Sequence, residues 1–480
     1  MLFNSLAFFV FLPIVFVLYW LIPQKGRWIL LLIASYYFYM SWNPKYVVLI
    51  FGTTVVSYVA GLLLERIDKQ QVKKMIVATA LIVCLGVLFV FKYFNFAFSS
   101  VCSVLNLFTI HLSPITLQLM LPVGISFYTF QTLSYVIDVY RGDIEAEHHF
   151  GYYATFVSFF PQLVAGPIER TGNLLPQIKS AKKFNQTQAI DGAKVIVWGY
   201  FKKMVIADYI SGYVDQIYDG LSNYTGFALV MVIFLFTIQI YCDFSGYSNI
   251  AQGAAKLLGI DLMDNFKSPY FSTSVKEFWR RWHISLSTWF RDYVYIPLGG
   301  SRCGKVRHNI NLLITFLVSG LWHGASWTFV FWGGMHGLAQ IIENLANSLL
   351  KKIRAKKVGK FISFIVVFAF CNIAWVFFRA KTFSDAIYVL TNSIKGISSP
   401  YLYIVNGVNE SGIGVLKSLY ILVMITIMSI VDYLNLNGDI ILKIKQKKPF
   451  VRWILYFAIA LLVVIFAQKG EPAEFVYFQF

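Results

Sequence analysis

Charge is what this sequence has least of. Only 13% of its 480 residues are Asp, Glu, Lys or Arg, against about a quarter in soluble globular chains, so its polar side chains are too few to cover it in water. Cysteine is scarce too: Cys84, Cys102, Cys242, Cys303 and Cys371 stand apart with no CxxC spacing, which argues against a disulfide framework and a thiolate metal site. HxxxH, HExxH, Walker and GxSxG patterns are missing, and with them the chemistries they carry. No repeat, low-complexity tract or long polar linker divides the chain, so residues 1–480 read as a single integral-membrane domain. The first apolar run lacks a basic n-region and a clear small-residue cleavage site, so a removed signal peptide is not expected.

What is present in excess is apolar surface: 58% hydrophobic residues, with 45 Phe, 29 Tyr and 12 Trp. Runs suited to a hydrocarbon layer of ~30 Å recur near 4–22, 28–42, 46–64, 75–91, 95–110, 118–139, 150–165, 188–210, 226–242, 309–348, 361–378, 416–433 and 451–467. The expected class is an all-α polytopic membrane protein. A net charge of +18 would otherwise point to nucleic acid, but the basic residues cluster in short loops, from Lys25 and Arg27 to the stretch Lys443 to Arg452. They read as positive-inside topology signals, with both termini outside and the lipid bilayer, not nucleic acid, as the partner.

Two regions break the alternation of span and loop. Residues 160–187 carry Pro161, Gly166, Pro167 and Pro176; residues 260–308 are long, charged and rich in Trp. Within the second, Trp279, Trp282, Leu286, Trp289 and Tyr293 recur at offsets of three and four, with Glu277, Arg280, Ser287 and Arg291 opposite. That spacing predicts one amphipathic helix, interfacial or folded back into the protein.

His323 lies in "LVSGLWHGASWTFVFWGG" (317–334), among apolar and small residues. The apolar stretch 309–348 is flanked by basic loops that share one face, so it must enter and return. Its first limb, Asn309 to Trp322, reads as 14 residues, about 21 Å as a helix, which would put a re-entrant turn inside the membrane with His323 at the floor of a cavity. An ionisable group at such depth is a functional-site candidate, and imidazole is the side chain suited to take and return a proton near neutral pH. Tyr241, Asp243, Ser245, Tyr247, Ser248 and Asn249 follow another apolar run; for the Asp243 carboxylate, Arg280, Arg281 and Arg291 are the expected cations. The hydroxyls and amide of Ser126, Tyr128, Thr129, Gln131, Thr132, Ser134 and Tyr135 read as interhelical glue. His111, His148, His149 and His308 fall in loops or ends, and His336 reads as helix packing.

On these residues the chain resembles the membrane-bound O-acyltransferases (MBOAT), in particular the bacterial alginate O-acetyltransferase branch. The likeness runs through "FNSLAFFVFLPIVFVLYW", "PVGISFYTFQTLSYVIDVYRG", "FPQLVAGPIER", "YCDFSGYSNIAQGAAKLLGI", "FWRRWHISLSTWFRDYVYIPLGGSR", "GLWHGASWTFVFWGGMHG" and "WVFFRA" to the terminal "FVYFQF". It implies a signature core at about 118–380 and C-terminal spans at 416–433 and 451–467. The implied fold is a ring of tilted transmembrane helices around a thin central floor with a pore, plus re-entrant and interfacial helices. His323 and His283 would be the catalytic histidines, with Asp243, Tyr241, Ser245, Trp282, Trp322 and Ser326 supporting, and Arg280, Arg281, Arg302 and Lys305 near the donor's phosphates. The implied function is O-acetylation of an exopolysaccharide in the bacterial cytoplasmic (inner) membrane. Acetyl-CoA would serve as donor substrate, with no metal and no permanently bound cofactor. Implied partners are an extracytoplasmic SGNH-type acetyltransferase and the exopolysaccharide synthesis machinery, with the outer loops 380–415 and Phe475 to Phe480 as docking surfaces; a hydrophobic tail packed on the bundle is the equal alternative for Phe475 to Phe480. The glycan itself is not written in the sequence. D-alanyl transfer to teichoic acid is the nearest rival; a polytopic transporter or flippase and a catalytically silent scaffold are the others.

Overall fold

A computed structural model describes residues 1–110, 112–164, 166–466 and 474–478, with all their side chains except those of Lys445 and Phe478. Among the described residues the regular structure is helical, with no strand. Six helical segments are long and apolar enough to cross a membrane: Pro44–Arg66, Gln70–Leu107, Phe227–Leu257, Lys357–Arg379, Gly414–Asn435 and Pro449–Phe466, with a shorter apolar helix at Leu6–Leu21. The residues form two compact units, 1–193 with 251–263, and 194–250 with 264–480.

The first unit holds α1 (Leu6–Leu21), α2 (Arg27–Met40), α3 (Val47–Arg66), α4 (Gln70–Leu88), α5 (Phe94–Leu107), α6 (Ile125–Arg141), α7 (Phe150–Ser158), α8 (Phe160–Leu163) and α9 (Thr171–Lys179). The two runs expected at 75–91 and 95–110 are one rod here, because a π-helical turn at Phe89–Tyr93 carries α4 into α5 without a break. Of the polar residues of α6 expected to join helices, Gln131 does so. Gln131 donates to the Phe156 carbonyl at 2.9 Å, and the Thr132 and Ser134 hydroxyls donate back into their own helix. Elsewhere in this unit polar side chains also join helices, as where Tyr153 donates to Ser57 Oγ at 2.7 Å.

From α10 (Gln186–Tyr200) the chain continues through a π-helical segment at Phe201–Ala207 into α11 (Asp208–Asp219), and then α12 (Phe227–Leu257). The second unit adds α13 (Val275–Arg281), α14 (Ile284–Phe290), α15 (Lys305–His323), α16 (Trp327–Leu345), α17 (Asn347–Arg354), α18 (Lys357–Arg379), α19 (Phe383–Asn392), α20 (Pro400–Glu410), α21 (Gly414–Asn435), α22 (Ile440–Lys443) and α23 (Pro449–Phe466). The single amphipathic helix expected over 275–300 is not formed. It divides at Trp282 and His283, where His283 adopts a left-handed φ of 43°, and ends in a π turn at Arg291–Tyr295. The reason is competition for the backbone: the Asn265 carbonyl accepts the Ile284 N–H at 3.0 Å, and the Lys267 N–H donates to the Arg281 carbonyl at 2.9 Å. The aromatic stripe is buried by this fold, with Trp279, Trp282, Leu286 and Trp289 all inside.

The hairpin of α15 and α16 is present, but its first limb is longer than the sequence indicated. It starts at Lys305 and has 19 residues, about 28 Å of helix. Length alone therefore no longer forces its turn into the middle of a bilayer. The turn, residues 324–326, ends where Ser326 caps α16 by accepting the Thr328 N–H at 3.3 Å.

Candidate active site

His323 is the last residue of α15 and is 4% exposed. Five rings surround it: Trp322 and Trp332 with centroids at 5.0 Å, Phe378 at 5.5 Å, Tyr477 at 5.6 Å and His283 at 6.4 Å. The sequence-predicted pair of histidines is thus brought together although 40 positions separate them in the chain. Trp322 touches both, with its ring 6.2 Å from His283.

His283 is completely buried and held by Asn265. Asn265 Oδ1 lies 3.3 Å from His283 Nδ1 and accepts the Ser285 N–H at 3.3 Å and its hydroxyl at 2.6 Å, while Asn265 Nδ2 donates to Ser248 Oγ at 3.2 Å. Because the Ser285 N–H can only donate, it identifies Oδ1 as an acceptor, so Nδ1 carries the proton and Nε2 is the basic nitrogen. The left-handed backbone of His283 costs roughly 1–3 kcal/mol, and this network offsets it. Replacing Asn265 by Ala is expected to lower turnover about tenfold, the cost of roughly one hydrogen bond to a polar ring, with the donor's KM unchanged; an initial-rate comparison on purified protein checks it.

Asp243 does not meet an arginine. Arg281 pairs with Glu277 at 2.7 Å and Arg291 with Asp292 at 2.7 Å. Burial pushes the Glu277 carboxyl up, but the N–H and hydroxyl of Thr273 and the Arg281 guanidinium outweigh it and hold the carboxyl below its ordinary value, so Arg281 is committed to that ion pair. The cation on Asp243 is Lys203, at 2.7 Å, a residue sequence reasoning missed. Tyr241 is likewise engaged elsewhere, donating to Asp432 Oδ2 at 2.5 Å. Trp282 stacks on Phe278 at 5.5 Å and meets Trp375 at 5.0 Å, and Ser245 is buried on α12. Ser326 serves as the helix cap already described. Tyr241, Trp282, Ser245 and Ser326 are thus engaged in packing, in the hydrogen bond to Asp432 or in a helix cap, and among the described residues no hydrogen bond or ring contact ties their side chains to either histidine.

A cavity of ≈ 470 Å³ has Ile284, next to His283, and Ser319, one turn before His323, in its lining, but neither of those histidines itself. Lys276, Arg280, Arg291 and His308 give it a basic lining, and Trp279, Leu286 and Phe290 an apolar one. Along α15 it is lined by His308, Leu312, Thr315, Phe316 and Ser319, one face of the helix at offsets of three and four, and Ser319 stands one turn before His323 on that face. Of the basic residues expected near the donor's phosphates, Arg280 belongs to this lining; Arg302 and Lys305 do not, and are exposed beside it. His336 accepts from Trp279 Nε1 at 3.1 Å and is a packing residue, while His148 pairs with Glu65 and His149 caps α7. His111 and residues 479–480 lie outside the described residues.

Of the two expectations for the C-terminal segment, a docking surface or a tail packed on the bundle, the second holds at Phe475 and Val476, which are buried. Tyr477 alone, among the described rings on His323, carries a hydroxyl. The segment 380–415 folds into α19 and α20 joined by a turn. No cluster of His, Cys, Asp and Glu suited to a metal occurs among the described residues.

A buried pair of histidines can serve general acid–base chemistry, and comparison with known proteins supplies the class of reaction. Residues 143–383 match the model of the MBOAT, membrane-bound O-acyltransferase family; the chain belongs to that family and is a multi-pass membrane O-acyltransferase. A probable alginate O-acetylase AlgI of Pseudomonas aeruginosa is 40% identical over 392 residues, 80% of this chain and 73% of the relative. A peptidoglycan O-acetyltransferase of Helicobacter pylori is 32% identical over 527 aligned positions, covering 100% of this chain and 98% of the relative. A teichoic acid D-alanyltransferase of Streptococcus thermophilus is 31% identical over 235 residues, 46% of this chain and 56% of the relative.

Proposed function

We propose that the protein transfers an acetyl group from acetyl-CoA on the cytosolic side to a hydroxyl on the extracytoplasmic side, for O-acetylation of a cell-surface glycan. The observation that carries this reading is a basic cavity whose lining along α15 reaches Ser319, one turn before His323 on the same face of the helix. The donor's phosphates meet Lys276, Arg280 and Arg291 at the cavity, and its thioester arm follows the apolar lining toward Ser319. His323 is the general base that takes the acceptor's proton as its oxygen bonds to the acetyl carbon, and it returns that proton to the CoA thiolate released when the C–S bond breaks; His283, through the basic Nε2 that Asn265 leaves it, orients the reacting groups. Tyr477 brings a phenol against the imidazole where an acceptor hydroxyl would be needed. Delivery to the glycan through an SGNH-type partner in the bacterial inner membrane completes the scheme. Acetyl transfer is favoured over D-alanyl transfer by the longer and stronger likeness to O-acetylases.

The test is purified protein in vesicles, given acetyl-CoA inside and a glycan fragment with the SGNH-type partner outside. Thioester consumption with matching acetylation of the fragment is expected. Glycan movement without thioester consumption would make the protein a transporter, and use of a D-alanyl carrier thioester in preference to acetyl-CoA would make it a D-alanyltransferase. Arg280→Ala is expected to raise the KM for acetyl-CoA about tenfold, as loss of a charge-assisted hydrogen bond costs roughly 1.5 kcal/mol or more, with kcat within about twofold because Arg280 meets the donor far from its reacting carbon. The deficit should shrink in high salt, where the wild type loses the same attraction to screening.

A further inference from the structure

The π-helical segment Phe201–Ala207 carries Lys203, which is 1% exposed. Its ammonium lies 2.8 Å from Asp208 Oδ1 and 2.7 Å from Asp243 Oδ1, and also donates to the Glu474 carbonyl at 3.3 Å. The other oxygen of Asp243, Oδ2, accepts the Val476 N–H at 2.7 Å. One buried ion pair therefore binds two main-chain groups of the C-terminal segment, a carbonyl and an amide two residues apart. Side chains of the segment fill the adjoining space. Phe475 packs on Tyr247 at 4.6 Å and Phe244 at 5.5 Å; Tyr477 packs on Phe244 at 4.8 Å, His323 at 5.6 Å and Phe378 at 5.7 Å.

A buried triad of one lysine and two carboxyl groups carries a heavy desolvation cost, which an apolar trio of similar volume would avoid. Such a group offers what apolar side chains cannot: a donor and an acceptor fixed at the spacing of a main-chain carbonyl and amide. We propose that Lys203, braced by Asp208 and Asp243, is a positioning residue that clamps the C-terminal segment into the acyl-transfer site and thereby seats Tyr477 against His323. The catalytic consequence rests on the function proposed above; the clamp itself does not.

The experiment reads the two separately. In full-length protein, Cys303→Ser removes the exposed thiol and Val476→Cys places a probe on the segment at a position 1% exposed. With the clamp intact, the thiol introduced on the segment should react slowly with a polar maleimide. Lys203→Met or Asp243→Asn should accelerate labelling at least tenfold, and Lys203→Arg should restore most of the protection. In the same variants, without the Val476 substitution, acetyl transfer should fall about tenfold or more while the KM for acetyl-CoA stays within twofold, with Lys203→Arg again rescuing; a general structural defect would not separate kcat from KM in this way. Asp243→Asn preserves volume and keeps the test open if the methionine variant fails to fold. Rapid labelling with the clamp intact, or equal protection with it broken, overturns the proposal. Labelling that changes as expected in a protein that never transfers acetyl groups, wild type included, would sink the proposed function and leave the clamp standing.

Discussion

His323→Gln is expected to reduce acetyl transfer by about 10² to 10⁴, the range over which a positioned general base acts, while the protein still reaches the membrane and binds donor. Glutamine is the informative substitution because His323 is walled by Trp322, Trp332, Phe378 and Tyr477. An alanine there would leave a void, and voids in packed interiors destabilise in their own right. Glutamine nearly fills the space and keeps a polar tip, but it cannot take a proton. The loss should therefore fall on kcat and on kcat/KM equally, the signature of an interaction made in the transition state. Single-turnover acetylation of an acceptor fragment, with donor binding measured alongside, provides the check. A variant that acetylates at the wild-type rate would leave His323 a buried packing residue, and one that restores glycan acetylation in a deletion strain would point to a scaffold.

Much of the architecture was legible because membrane spans announce themselves locally. A run of apolar residues bounded by basic loops gives both the existence and the rough limits of a helix, as at Lys357–Arg379 and Gly414–Asn435. Errors came where a local pattern met long-range competition. The spacing of Trp279, Trp282, Leu286 and Trp289 is perfect for one helix, yet Asn265 captures the backbone at Ile284 and breaks it. In α15 the basic residues Lys305 and Arg307 hid a full turn of helix, because charge was read as loop.

The site divides the same way. His323 and His283 stood out as ionisable rings in apolar surroundings, and their pairing was carried by motif likeness. Lys203 did not stand out. It lies 40 positions from Asp243, beside Lys202 inside the apolar run expected at 188–210, and belongs to none of the motifs singled out in the sequence. Only the π-helical turn at Phe201–Ala207 shows that Lys203 faces inward. The seating of Phe475 and Val476 was equally silent, since a short aromatic terminus has the same composition whether it is buried or presented to a partner.

The second large effect concerns the glycines that bring α15 and α16 together. A Cβ at Gly333 would overlap the Phe316 carbonyl oxygen and lie 3.1 Å from Gly320 Cα; one at Gly320 would overlap the Phe329 carbonyl oxygen. These neighbours are backbone, so no rotamer change relieves the clash, and the helices must separate. Gly333 and Gly337 form the small-xxx-small stripe on which membrane helices approach closely. Trp332 precedes Gly333 and packs on His323, while His323 follows Gly320 by three residues. Parting the hairpin therefore moves the imidazole and its wall together. Overpacking of this kind costs about 1–3 kcal/mol of stability, and a displacement near 1 Å can cost about 10² in rate. Gly333→Ala is accordingly expected to lower the thermal midpoint in detergent and to reduce turnover about a hundredfold, a larger loss than its stability cost alone would produce below the midpoint. Gly334→Ala is the control: its Cβ would meet only the Leu317 side chain, at 3.4 Å, an ordinary contact, and both stability and turnover should stay near wild type. If the two alanine variants behave alike, the close approach of α15 and α16 does not set the position of His323, and the geometry of the site must be held from α13, α14 and α18 instead.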